Sequence, residues 1–216
     1  MNTNKFPRFG LSIAVLIFSI LPLVAQNNVD AERITNQLLA SFRSSAVRTN
    51  FSLSVVQKNA VNSQSVSGNF VMKAEKFMLD MGETKAWFDG KTQWTYMVAD
   101  KEVSITEPTV DELASINPMA IIAGFKAKSK IVFSKQKSSQ NHLIELLPKS
   151  KNEEFAKVEI QINKTTGNLV SVKITDKKGV KSILSLTNYQ KGFKANDDYF
   201  VFNKAKYKGI MINDLR

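Results

Sequence analysis

The stretch 87–105, "WFDGKTQWTYMVADKEVSI", decides how the chain is read. Gly90-Lys91-Thr92 has the ending of a phosphate-binding loop, but that motif needs a glycine five positions earlier, where Lys85 stands. It also needs a following helix whose N–H groups face the phosphate. Here Trp94, Tyr96 and Val98 alternate with Thr95 and Met97, which is the period of a strand. Asp89-Gly90 is therefore a hairpin turn between two strands, and the nucleotide reading falls.

Working outward, the same period of two recurs. Phe77, Leu79 and Met81 alternate with Met78 and Asp80; Val158, Ile160 and Ile162 alternate with Lys157, Glu159 and Gln161. Val170, Val172 and Ile174 alternate with Ser171, Lys173 and Thr175. Such alternation marks antiparallel strands with one dry and one wet face. Turn residues punctuate them at Ala99-Asp100, Thr165 to Asn168 and Lys177 to Gly179. About ten or eleven strands fit between Phe51 and Phe202, mostly as a meander.

Two segments break this pattern. Asn28 to Arg48 has Ile34, Leu38, Leu39 and Phe42 at helical spacing, with Asp30 placed as an N-cap. Glu32, Gln37, Arg43 and Ser44 occupy its opposite face. Thr109 to Phe125, "TVDELASINPMAIIAGF", reads as two short helices divided at Asn117-Pro118, because proline disfavours helix in the residue before it. Its second half is apolar almost all round and must be covered on several sides. The fold class is mainly β (α+β): a strongly curved antiparallel sheet with helices across its concave side.

The first residues stand apart. Lys5 and Arg8 precede the apolar run Leu11 to Leu23, and Ala25 offers a small residue before a cut. That is the pattern of a secretory signal peptide over 1–25, leaving 26–216 as one domain. Cleavage would remove two cations and no acids, so the +11 of the chain becomes +9. With no cysteine, an exported chain here is not held by disulfides. Export argues against nucleic acid as the basic chain's partner. Composition leaves open a solvated basic face, an anionic partner or a membrane surface.

The chemical inventory argues against an enzyme. His142 is the single histidine, so neither a metal site nor a Ser–His–acid arrangement has its partners. No Gly-x-Ser-x-Gly elbow appears, and the acids lie singly. Neither a catalytic residue nor a cofactor is expected.

The ordered series of segments resembles the LolA family, periplasmic carriers of outer-membrane lipoproteins. It runs from the leading helix through "GNFVMKAEKFMLDM" at Gly68, the Trp87 hairpin and "NPMAIIAGF". It continues with "LIELLPKS", "EIQINKTTGNLVSVKITDKKGVKSILSL" and "YFVFNKAKYKGIMIND". Its most telling piece is Asp89, Gly90, Trp94 and Tyr96. The resemblance implies an incomplete β-barrel with a helical lid over an apolar cavity that shields lipoprotein acyl chains. On that basis Phe70, Met72, Phe77, Leu79, Trp94, Tyr96 and Val98 are expected to line the cavity. Leu38, Leu39, Phe42, Ile116, Met119, Ile121, Ile122 and Phe125 are expected in the lid. The implied partners are lipidated outer-membrane lipoproteins, an ATP-driven transporter in the inner membrane and an outer-membrane acceptor, with the carrier a monomer in the periplasm. Alternatives are a module of the same fold for another lipid or glycolipid, and a sensor in an envelope-stress pathway. The family's lid-latching arginine is missing: the aligned stretch is Lys73-Ala74-Glu75-Lys76, which leaves Lys73 as a candidate without the planar fork of arginine.

Overall fold

The computed structural model describes residues 22–57, 64–109, 112–113 and 117–216. The alternating segments assemble into one twelve-stranded sheet. Its first meander comprises β1 (Val47–Val56), β2 (Gln64–Lys73), β3 (Lys76–Asp80), β4 (Thr84–Phe88), β5 (Gln93–Met97) and β6 (Glu102–Thr106). The second comprises β7 (Ser129–Phe133), β8 (Asn141–Pro148), β9 (Phe155–Asn163), β10 (Leu169–Asp176) and β11 (Lys181–Lys191). Antiparallel pairing of β1 with β11 joins the two. A last strand, β12 (Met211–Asp214), adds in parallel to β6, giving the order β12-β6-β5-β4-β3-β2-β1-β11-β10-β9-β8-β7. The sheet is curved and does not close, an open half-barrel.

The seam between the meanders carries its own bend. Asn188 sits in the left-handed region (φ 52°), and the β1–β11 register shifts between Arg48 and Asn50. That is a β-bulge, which bends and twists the strand that holds it. Thr49 stitches it by donating its hydroxyl to the Thr187 carbonyl at 2.7 Å. In β2, Gly68 lies under β3 so closely that a Cβ there would meet the Asp80 carbonyl oxygen at 2.1 Å.

Among the described residues two long helices lie against one face. The first, α1 (Pro22–Ser44), begins earlier than the spacing of apolar residues indicates. Asp30 is therefore inside the helix rather than its cap, and it pairs one turn on with Arg33 at 3.2 Å. The helix also stops at Ser44, before Arg48, because Val47 already pairs in β1. The second, α2 (Pro118–Ala127), starts where the Asn-Pro dipeptide places it. Asn117 is extended (φ −94°, ψ 114°), and its side-chain oxygen accepts from the Met119 N–H at 2.9 Å. Upstream, Thr109 and Glu112 form a reciprocal capping box. The Thr109 N–H donates to the Glu112 carboxylate at 2.7 Å, and the Glu112 N–H to the Thr109 hydroxyl at 3.3 Å.

The Gly-Lys-Thr trio is a turn. The Asp89 carboxylate accepts from the N–H groups of Lys91 and Thr92 at 2.9 and 2.8 Å, and Gly90 takes φ 107°. All three backbone features serve the β4–β5 hairpin.

Candidate functional site

The residues singled out by sequence fall on both faces of the sheet. Phe70, Met72, Phe77 and Leu79 are buried together on the face that the helices cover. Phe70 stacks on Phe77 at 5.7 Å, and Phe77 tilts against Phe88 at 5.4 Å. From the helices, Leu38, Phe42, Met119, Ile121 and Ile122 are buried in the same cluster, and Leu39 and Phe125 pack on it half-buried. Phe125 meets Phe155 edge-to-face at 4.6 Å. The expected lid residue Ile116 lies outside the described residues.

Trp94, Tyr96 and Val98 lie elsewhere, which corrects the expectation of a common face. Register explains it. Trp94 pairs with Trp87, and Trp87 with Met78, so these side chains share the face opposite Phe77 and Leu79. There Trp87, Tyr96 and Val103 are buried beneath the C-terminal segment, with Trp94, Phe202, Tyr207 and Ile210 packed around them. Tyr96 lies 4.7 Å from the Tyr207 ring, and Phe202 stacks on Tyr207 at 5.0 Å. Val98 sits in the β5–β6 turn and is exposed. The strand that changes the dry face is β4, buried on both sides: Ala86 and Phe88 toward the helices, Trp87 toward the C-terminal segment.

That second cluster was missed by sequence reasoning, and two signals pointed to it. Trp87-Phe88 breaks the polar alternation, as a strand covered on both faces does. The run Tyr199 to Ile210 also carries apolar rings that need a surface of their own. On the helix-facing side, Phe51 of β1 and Phe155, Ile160 and Leu186 of the second meander extend the cluster.

Among the described residues Lys73 reaches no helix carbonyl. Its ammonium lies 3.9 Å from the Asp197 carboxylate, which Lys76 approaches to 3.0 Å. The tie to α1 comes instead from main chain. Ala74, in the left-handed region at φ 52°, donates its N–H to the Phe42 carbonyl at 2.9 Å. The hairpin thus satisfies one of the carbonyls left open at a helix C-terminus. α1 and α2 are linked at the surface by Lys126 and Glu32, 3.8 Å apart.

Reactive chemistry is sparse. His142 stands 6.0 Å from the Phe133 ring, its pKa lowered by burial and by the charges of Lys164 and Arg33. Burial pushes the Tyr189 phenol up, and its hydroxyl has no hydrogen-bond partner among the described residues. No group of three His, Asp or Glu side chains among the described residues is placed to hold a metal ion. No described helix is long and apolar enough to cross a membrane. What the arrangement offers is an apolar sheet face covered by apolar helix side chains.

Residues 22–178 match the family model described as outer membrane lipoprotein carrier protein LolA. The chain belongs to this family. An outer-membrane lipoprotein carrier protein from Cupriavidus necator is 29% identical over 126 residues. That match covers 57% of each chain, so it spans little more than half of the relative. Among solved structures, an uncharacterized conserved protein from Thermus thermophilus superposes with a TM-score of 0.52 at 11% identity. It is covered over 99% of its length by 86% of this chain, a likeness of fold. A LolA superfamily protein from Nitrosomonas europaea gives a TM-score of 0.44 at 11% identity, over 80% of this chain and 97% of that one. The family match ends at residue 178, so β11 and the C-terminal segment lie beyond it.

Proposed function

We propose that the protein is a periplasmic carrier that shields the acyl chains of lipoproteins between α1, α2 and the sheet. The observation that carries this reading is the helix-facing cluster. Five apolar helix side chains, Leu38, Phe42, Met119, Ile121 and Ile122, fill the face that Phe70, Met72, Phe77 and Leu79 present to them. Their hold on the sheet is almost all non-directional, and methionine adapts to varied neighbours. Among the described residues the polar ties from helix to sheet side are few: the Ala74–Phe42 main-chain bond and a long 3.5 Å bond from the Lys149 ammonium to the Ala127 carbonyl. The exposed Lys126–Glu32 pair, a type worth about 0–1 kcal/mol, joins the helices to each other.

The exchange balances in magnitude. Burying about 0.8 kcal/mol per methylene, one long acyl chain brings roughly 10 kcal/mol. Five helix side chains at about 2 kcal/mol each bring a similar amount. A carrier whose empty cavity is filled by its own helices loads and unloads without a large free-energy drop in either direction. No residue for energy coupling is needed; by family likeness, an ATP-driven inner-membrane transporter loads the carrier and an outer-membrane acceptor takes the cargo. The role is binding rather than catalysis, and the carrier works as a monomer.

The test is release of a lipidated outer-membrane lipoprotein from spheroplasts into solution by added mature protein. A soluble one-to-one complex is expected, and it is lost in Ile122→Asp when circular dichroism shows the sheet intact. Absence of release, with a free lipid co-purifying instead, would overturn lipoprotein carriage in favour of small-lipid binding.

A further inference from the structure

The basic charge of the chain is not spread evenly. Three adjacent turns at one end of the second meander form a rim: residues 134–141 between β7 and β8, 163–168 between β9 and β10, and 190–196 after β11. They carry lysines and no acid, and Arg48 at the start of β1 continues them. The rim is continuous because its turns are tied to one another. The Lys164 ammonium donates to the Ser138 carbonyl at 2.6 Å, and that of Lys191 to the Thr166 carbonyl at 2.7 Å. The Phe193 N–H donates to the Ala46 carbonyl at 3.1 Å, and the Arg48 guanidinium lies 5.6 Å above the Phe193 ring.

Six cations result: Arg48, Lys135, Lys137, Lys164, Lys191 and Lys194. All are exposed, and none has a carboxylate within ion-pair distance among the described residues. The opposite end of the same strands is different. There lysines alternate with Glu153, Glu154 and Asp176, and Lys128 approaches Glu153 to 3.7 Å. The downward shift of His142, caused first by burial and then by Lys164 and Arg33, reports the same positive field near the rim.

The geometry points to this rim as a docking face for anionic phospholipid headgroups, which sets the carrier on a bilayer surface by charge. Between a membrane and an acidic protein, the rim's chemistry favours the membrane. Its remaining residues are Ser, Thr, Gln, Asn, Gly, one alanine and one phenylalanine, with no apolar anchor cluster of the kind that centres a protein interface. Lysine is depleted in such interfaces, whereas a plane of phosphates asks only for point charges near its surface. The inference stands on charge placement and does not depend on which cargo the helices cover.

Co-sedimentation of the mature protein with vesicles tests it, using phosphatidylglycerol-rich vesicles against pure phosphatidylcholine at low and moderate salt. Binding is expected to the anionic vesicles alone and to weaken as salt screens the charges. The rim variant Lys135→Glu, Lys137→Glu, Lys194→Glu should lose about tenfold or more in affinity. The variant Lys151→Glu, Lys178→Glu, Lys181→Glu changes net charge equally at the opposite end and should keep most of the binding. Equal loss in both variants would overturn the rim in favour of net charge. Equal binding to both vesicles, or binding to poly-L-glutamate with none to vesicles, would overturn the membrane as its partner.

Discussion

Two apolar clusters lie back to back across this sheet, and they are held differently. On the helix side, α1 and α2 present aliphatic side chains and methionine to Phe70, Met72, Phe77 and Leu79, and few polar groups fix the contact. On the other side, the C-terminal segment is pinned by direction. Met211 to Asp214 pair with β6, the Asp197 carboxylate meets Lys76 at 3.0 Å, and Phe202 and Tyr207 pack edge and face on Trp87 and Tyr96. Aromatic pairs have preferred geometries, and backbone pairing has a register. On the proposed carrier reading, non-directional packing can be exchanged for an acyl chain of the same area, and registered packing cannot. One cluster is thus suited to be opened and the other to stay shut.

The comparison can be broken by mutation. Phe77→Ala removes a fully buried ring from the helix-facing side and should lower unfolding free energy by about 3–5 kcal/mol in denaturant melts. Tyr207→Ala, half-buried at the edge of the other cluster, should lose about 2 kcal/mol and leave acyl binding unchanged. If Tyr207→Ala instead abolished binding while Phe77→Ala spared it, the assignment of the two faces would be reversed. A smaller effect sharpens the picture of α2. Asn117→Ala deletes the side-chain cap on the Met119 N–H and should cost about 1 kcal/mol. The loss should appear as faster amide exchange in Pro118–Ala127 alone.

The smallest effect is on pH. The hydrogen bond and charge of Lys76, with a lesser contribution from Lys73, hold the Asp197 carboxyl below the ordinary aspartate value. A carboxyl with a lowered folded-state pKa stabilises the fold above its unfolded value, near about 3.9, and loses that contribution as pH falls through the folded value. The C-terminal segment should therefore loosen in the acid limb below about pH 4, read as a rise in Trp87 quenching, and Asp197→Asn should flatten that limb. The ion pair is exposed, so the change is small beside the ring deletions.

Much of the sheet was legible because local period carries it. Val158, Ile160 and Ile162 alternate and are buried together in β9, and Asn117-Pro118 starts α2 where proline chemistry requires. The missed features are those that local period does not contain. Alternation says that Trp94 and Tyr96 share a face, not which face that is relative to Phe77 two strands away. That relation is set by the register through β4, where Met78, Trp87 and Trp94 line up. The start of α1 was missed because Asp30 resembles a cap in sequence while it forms an ordinary i,i+3 pair with Arg33. The tie between the β2–β3 turn and α1 was sought in the Lys73 side chain, but it resides in the Ala74 main chain, which side-chain reading does not reach.

The most direct measurement is hydrogen exchange of the mature protein with and without a triacylated lipopeptide. The account predicts that bound lipopeptide lowers protection in α1 and α2, as their side chains leave the sheet, while β6, β12 and the residues around Trp87 and Tyr96 keep theirs. Binding with unchanged helices, or with the loss of protection confined to the C-terminal segment, would contradict it.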